Sequence, residues 1–121
     1  MTDVQVQARA QVQVEVQVQV QVHDRVVLEV DDAGPWLERW REDYLPRART
    51  RGMTLRGVYR AHTGTGTVAL SVAWTLPSPY AFYEMRAAAA ADPEVAAFWA
   101  YTDALAVERD RRASRPLEGI A

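Results

Sequence analysis

Arg60 and His62 lie two apart in the segment Met53-Thr54-Leu55-Arg56-Gly57-Val58-Tyr59-Arg60-Ala61-His62, just before Thr63-Gly64-Thr65-Gly66. In an extended chain, residues two apart point the same way, so a guanidinium and an imidazole share one face at the end of that segment. Imidazoles titrate in the neutral range and serve as general base or acid. A guanidinium alongside can orient a carboxylate or an enolate. The neighbouring Tyr59 offers a hydroxyl that can steady developing negative charge. His62, Arg60 and Tyr59 are therefore the candidate catalytic group. The competing reading of His62 is a hydrogen-bonded loop histidine. His23, on the polar face of an earlier segment and followed by Asp24, reads as structural or solvent-facing.

The second chemical resource is aromatic. Four tryptophans and five tyrosines make this chain rich in rings with a polar tip. Such rings line pockets for flat, partly polar ligands, and they dominate interfaces equally well. The spacing of Trp36, Trp40 and Tyr44, and of Tyr80 and Tyr83, is helical, so core packing accounts for most of them. Trp40, Tyr44, Trp74, Tyr83 and Trp99 are the candidate substrate-binding residues. The third resource is charge: Arg47, Arg49 and Arg51, then Arg109, Arg111, Arg112 and Arg115. Arginine grips carboxylates and phosphates with two parallel bonds. Glu108 and Asp110 interrupt the second cluster, so it reads as a solvated, ion-paired edge. Gly64-Thr65-Gly66 lacks the lysine and the strand–loop–helix setting of a phosphate loop and reads as a hairpin turn.

Composition removes several classes of function. With no cysteine there is no disulfide, thiolate metal site, iron–sulfur cluster or cysteine nucleophile. Two histidines cannot form a three-histidine zinc site, and no metal is expected. All 14 basic residues are arginine, which excludes a Schiff-base lysine. A net charge of −2 argues against nucleic acid as a partner. No apolar run approaches the length of a membrane span. The opening residues, Met1-Thr2-Asp3-Val4-Gln5, show no basic or apolar leader pattern, so a cytoplasmic protein without membrane partners is expected.

These residues must be positioned by one domain, since 121 residues suffice for a single core. Valine holds every even position from 12 to 22, and glutamine or glutamate the odd ones, which is the signature of a half-buried strand. The parity continues through Val26, Leu28 and Val30. So long a strand predicts a break or bulge near His23-Asp24, or an early portion paired with a different edge. Residues 1–11 read as a low-complexity extension, 12–116 as the domain and 117–121 as a tail. Asp31-Asp32-Ala33-Gly34 predicts a turn with Pro35 at the first helical position, and the helix then runs from Trp36 to a stop at Gly52. Pro46 should kink that helix or end its regular part. Residues 53–62 and 67–76 read as an antiparallel hairpin. Ser78-Pro79 and Asp92-Pro93-Glu94 open two further helices, and 106–116 reads as helix or charged edge strand. The order β–α–β–β–α(α)–β makes an α+β sandwich, an antiparallel sheet with helices on one face.

Trp36-Leu37-x-x-Trp40 through Tyr44-Leu45-Pro46-x-Ala48-x-x-x-Gly52, then Arg60 and His62, Trp74 before Ser78-Pro79, Ala91-Asp92-Pro93-Glu94 and Phe98-Trp99 together resemble the dimeric α/β-barrel superfamily. Within it they are most similar to the small NIPSNAP-like proteins of bacteria. The resemblance covers roughly residues 20–116 and leaves out the Val-Gln tract. It implies a ferredoxin-like protomer whose sheet packs on that of a second copy to form a dimeric α/β barrel. Superfamily members include cofactor-free quinone-forming monooxygenases, aromatic polyketide cyclases, lactone isomerases and haem enzymes. Independently, a strand this long with an unprotected edge invites pairing, and a two-fold dimer closes such an edge.

The expected function is that of a small-molecule enzyme of bacterial specialised metabolism. It would carry out cofactor-free cyclase- or isomerase-type acid–base chemistry on a hydrophobic or aromatic substrate. One alternative is a non-catalytic ligand-binding or scaffold dimer. Others are a cofactor-free monooxygenase or a haem enzyme with His23 or His62 as axial ligand, although nothing else in the sequence specifies a haem. An apolar pocket containing His62 would favour catalysis, and an interior filled by Trp74 and Trp99 would favour the binding module.

Overall fold

The computed structural model describes residues 19–117 and 119–120. The proposed extension over 1–11, and most of the Val-Gln tract, lie outside the described residues. Strand β1 spans Val20–Glu29 and leads directly into a helical rod. That rod comprises α1, Val30–Arg39, a wide π turn, Trp40–Tyr44, and α2, Leu45–Thr50. The hairpin β2, Thr54–Gly64, and β3, Thr67–Leu76, follows. Helices α3, Pro79–Ala90, and α4, Pro93–Leu105, come next, and β4, Glu108–Ser114, closes the domain. The sheet order is β2–β3–β1–β4 with every neighbouring pair antiparallel. This is the ferredoxin-like arrangement.

Alternation on the two central strands sets the layers. Val20, Val22, Val26 and Leu28 on β1 stand beside Leu76, Trp74, Leu70 and Val68 on β3, all buried towards the helices. The helices close over them with Ala33, Trp36, Trp40, Tyr44, Ala48, Met85, Val95 and Phe98, and so form a single core. The other face of the sheet is open. It presents His23, Arg25, Tyr59, Ser71 and Ala73, with Asp110 and Arg112 on β4.

Three expectations about local structure are corrected. First, β1 has no break at His23-Asp24: it pairs without interruption with both β3 and β4 through those residues. The polar Asp24 holds an inward position because it finds partners there, as described below. Second, Asp31 to Pro35 is no turn. The helix begins at Val30, whose N–H is held by the Gly66 carbonyl at 2.8 Å, and Pro35 lies inside it. Asp31 and Asp32 then occupy the first turn, where carboxylates suit the helix dipole. Val30 thereby leaves the apolar parity of β1 and is exposed. Third, β2 extends to Gly64, past a bulge between His62 and Gly64, and leaves a tight turn closed by Gly66 at φ +80°.

Other signals hold. Ahead of Pro46 the backbone widens, with the Leu45 N–H reaching back five residues to Trp40 O. This relieves the clash a proline ring makes with the carbonyl four residues earlier. The rod ends at Gly52, with φ +90°, in a Schellman pairing: Gly52 N–H to Arg49 O and Met53 N–H to Ala48 O. Ser78 and Asp92 cap α3 and α4 through the N–H groups of Ala81 and Glu94. Residues 108–114 are the charged edge strand.

Candidate functional site

Register places Arg111 of β4 directly opposite Asp24 of β1, both on the helix-facing side of the sheet. Asp24 is almost completely buried, its side chain only 4% exposed. Its carboxylate accepts two bonds from Arg111, Nε to Oδ1 at 2.5 Å and Nη2 to Oδ2 at 2.9 Å. The Trp74 indole donates to Oδ2 at 3.0 Å. Arg111 Nη2 also donates to the Tyr44 hydroxyl at 2.7 Å. Burial works against the charge of Arg111, but the bonds and charge of Asp24 outweigh it, with Tyr44 adding to the effect. The guanidinium is therefore held above its ordinary range. Elsewhere the helix-facing interior is built almost entirely of apolar side chains, so this network is its most polar feature.

The rod delivers Tyr44 to that network. Tyr44 ends the wide turn, and its ring packs against Phe98 at 5.0 Å, Trp99 at 5.3 Å and Trp74 at 6.2 Å between centroids. Trp40 lies 5.9 Å from Trp74. Beside this aromatic group a cleft of about 310 Å³ opens between α3, α4 and β4. Its apolar walls include Met85, Ala89, Val95 and Trp99, and Arg86 and Arg111 also line it. The guanidiniums of Arg109 and Arg111 lie 4.6 and 5.6 Å from the Trp99 ring centroid, both within cation–π reach of that wall. Arg109 is itself fixed by a two-pronged grip on Asp103.

Of the candidates named from sequence, Trp40, Tyr44, Trp74 and Trp99 come together here. Trp40, Tyr44 and Trp74 are buried in the core, and Trp99 lines the cleft. Tyr83 is separate from them, exposed on α3. Arg60 and His62 do share a face, opposite Leu70 and Val68, but on the free edge strand, where both are exposed. Tyr59 points to the other, open face. His62 lines neither the cleft beside Trp99 nor the concavity of the open sheet face. His23 and His62 are both exposed and lie on opposite faces of the sheet, His23 in the concavity of the open face. No group of three potential metal ligands forms among the described residues, and no described helix is long and apolar enough to cross a membrane.

Sequence reasoning missed Asp24 and Arg111. The signal for Asp24 was available, because it is the even position that interrupts the valines. Arg111 was read as part of a solvated edge. That description fits Arg112, paired with Asp110, and Arg109, paired with Asp103, but not Arg111.

The NIPSNAP family model matches residues 27–118. This chain belongs to the NIPSNAP family. Solved structures of similar shape include a NIPSNAP family protein from Agrobacterium tumefaciens, with 17% identity over 85% of this chain and 90% of that one and a TM-score of 0.66. A NIPSNAP domain protein from Burkholderia xenovorans has 18% identity over 85% of this chain and 98% of that one, with a TM-score of 0.62. SnoaB, a cofactor-independent oxygenase from Streptomyces nogalater, has 14% identity over 84% of this chain and 96% of that one, with a TM-score of 0.58. At these identities the likeness to solved structures is one of fold. No curated protein matches this NIPSNAP chain.

Proposed function

We propose that this protein is an enzyme that acts without a cofactor on a flat aromatic or enolisable small molecule seated in the cleft between α3, α4 and β4. The observation that carries the reading is the Asp24–Arg111–Tyr44 network, whose Arg111 lines that cleft. A fold that needed only stability would gain as much from apolar residues of similar volume, because desolvating an ion pair offsets most of its attraction. Asp24 and Tyr44 hold Arg111 by Nε and Nη2, and Nη1 is the end left for a ligand. When a phenol or a C–H beside a carbonyl gives up its proton to solvent water at the cleft mouth, charge collects on oxygen, and a fixed guanidinium stabilises it. Cyclase and isomerase reactions begin with that step. So does cofactor-free oxygenation, where the electron-rich anion reacts with O2 directly. The likeness in fold to SnoaB supports the oxygenase form of the reading.

A second reading, a non-catalytic ligand-binding protein, is favoured by one observation. Trp40, Tyr44 and Trp74 fill the interior, and the remaining cleft is at the small end for a ligand site. Oxygen uptake and absorbance changes over a panel of naphthols and anthrones separate the two readings. Turnover that falls at least about a hundredfold in Arg111→Gln supports the enzyme. Binding without turnover supports the second reading, and the absence of both removes the cleft as the site. The reading includes a cytoplasmic homodimer joined through the open sheet faces, each of which carries a concavity of about 800 Å³.

A further inference from the structure

The cleft between α3, α4 and β4 is lopsided in charge. The side chains that line it are apolar except for Arg86 and Arg111, and none of them is an acid. Arg111 is balanced by Asp24, and Arg109, beside Trp99, by Asp103. Arg86 takes part in no ion pair among the described residues. Glu84, the acid of α3, lies two residues before it, and side chains two apart on a helix do not face each other. The Arg86 guanidinium carbon lies 5.9 Å from the Phe82 ring centroid, a loose cation–π contact that engages none of its N–H donors. The cleft therefore carries a positive charge that no neighbouring acid among the described residues neutralises. Ala89, Ala90 and Ala96 keep both helical walls short, and Trp99 is only partly buried, so a flat ring has room and a surface to stack on.

We propose that the molecule taken by this cleft is an aromatic carboxylic acid and that Arg86 is the residue that selects it. The ring stacks on Trp99, the acidic hydroxyl or enolisable oxygen meets Arg111, and the carboxylate is gripped by Arg86. This rests on the cleft beside Arg111 being the ligand site. A neutral aromatic would fill the apolar walls and leave Arg86 idle, and a cationic one would be repelled. The planar fork of a guanidinium matches a carboxylate in shape, and one uncompensated cation balances one negative charge. Arg86 is exposed, so it contributes more to the choice between ligands than to affinity as a whole.

The test is calorimetric titration of the full chain with 6-hydroxy-2-naphthoate, its neutral counterpart 6-hydroxy-2-naphthamide, and 2-naphthol. Wild type should bind the naphthoate about fivefold more tightly than the naphthamide, and raising the salt concentration should shrink that preference. Arg86→Gln, a change on the exposed side of α3, should bind the two equally and keep its affinity for 2-naphthol within about twofold. Arg86→Glu should reverse the preference. A wild type that binds naphthoate and naphthamide equally overturns the proposal. So does an Arg86→Gln variant that keeps the preference, or one that loses all three ligands alike. If wild type binds 2-naphthol but does not favour the naphthoate, this inference fails and the cleft reading stands. If it binds none of the three, both fail.

Discussion

Asp24 shows how one side chain reorganises a core. On a strand otherwise faced with valine, an ionised carboxylate turned inward would cost several kcal/mol if it were alone. Arg111 and the Trp74 indole satisfy it, and Arg111 in turn is shared with Tyr44. Removing Arg111 leaves Asp24 buried without its counter-charge, and removing Asp24 leaves Arg111 partly buried without one. We expect Asp24→Ala to lower stability by about 3 kcal/mol in urea unfolding, at the low end of the usual range because the Arg111 side chain keeps 29% exposure. Asp24→Leu combined with Arg111→Met should recover to within about 1 kcal/mol of wild type, since neither charge is then stranded. If the double substitution is as unstable as Asp24→Ala, the network is structural and the functional argument built on it loses its basis.

At the scale of elements, the rod from α1 to α2 matters most, because it aims Tyr44 at the sheet and brings Arg51 in behind it. Its stop depends on Gly52 at φ +90°, a conformation that a residue with a Cβ adopts only under strain. A Cβ at Gly52 would meet nothing within 4 Å, so strain is the whole penalty. Gly52→Ala should cost about 1 kcal/mol in chemical denaturation. The α3–α4 corner carries a pH signature. The Glu94 N–H bonded to Asp92, with Arg47 and Arg51 nearby, holds the Asp92 carboxyl below its ordinary value of 3.8 despite partial desolvation. A carboxyl lowered in the folded state contributes stability that is complete above its unfolded pKa and is lost as pH falls through the folded one. The stability advantage of wild type over Asp92→Asn should therefore be constant near neutrality and shrink below about pH 4. Thermal melts across that interval check it, and an advantage that grows on acidification would contradict it.

For the whole molecule, the proposed homodimer is tested at the open sheet face. Ala73 on β3 lies between His23 of β1 and Gly57 of β2, in the middle of the face away from the helices. If two copies join there, light scattering should report twice the 13.6 kDa of one chain. Ala73→Arg should then halve that mass while leaving the helix content unchanged, because the new side chain projects away from the core. A single-chain mass for wild type would remove the homodimer from the proposed function.

Much of this architecture was legible from local chemistry. Alternating valine specified β1, Ser78-Pro79 and Asp92-Pro93 marked two helix starts, Gly52 marked a stop, and the spacing of Trp36, Trp40 and Tyr44 marked a buried helix face. Each of these signals acts within a few residues, where propensity, capping and periodicity operate. The start of α1 was misread because Asp31-Asp32-Ala33-Gly34-Pro35 has turn composition. Only the contact from Val30 to Gly66, supplied by a hairpin far along the chain, anchors the helix where it begins. The Asp24–Arg111–Tyr44 network of the candidate site was hidden for the same reason on a larger scale. Asp24 and Arg111 lie at opposite ends of the domain, and nothing local marks either as the other's partner. The register of β4 on β1, together with the wide turn that brings in Tyr44, assembles the site, because pairing between distant strands is settled by the packing of the whole sheet against its helices.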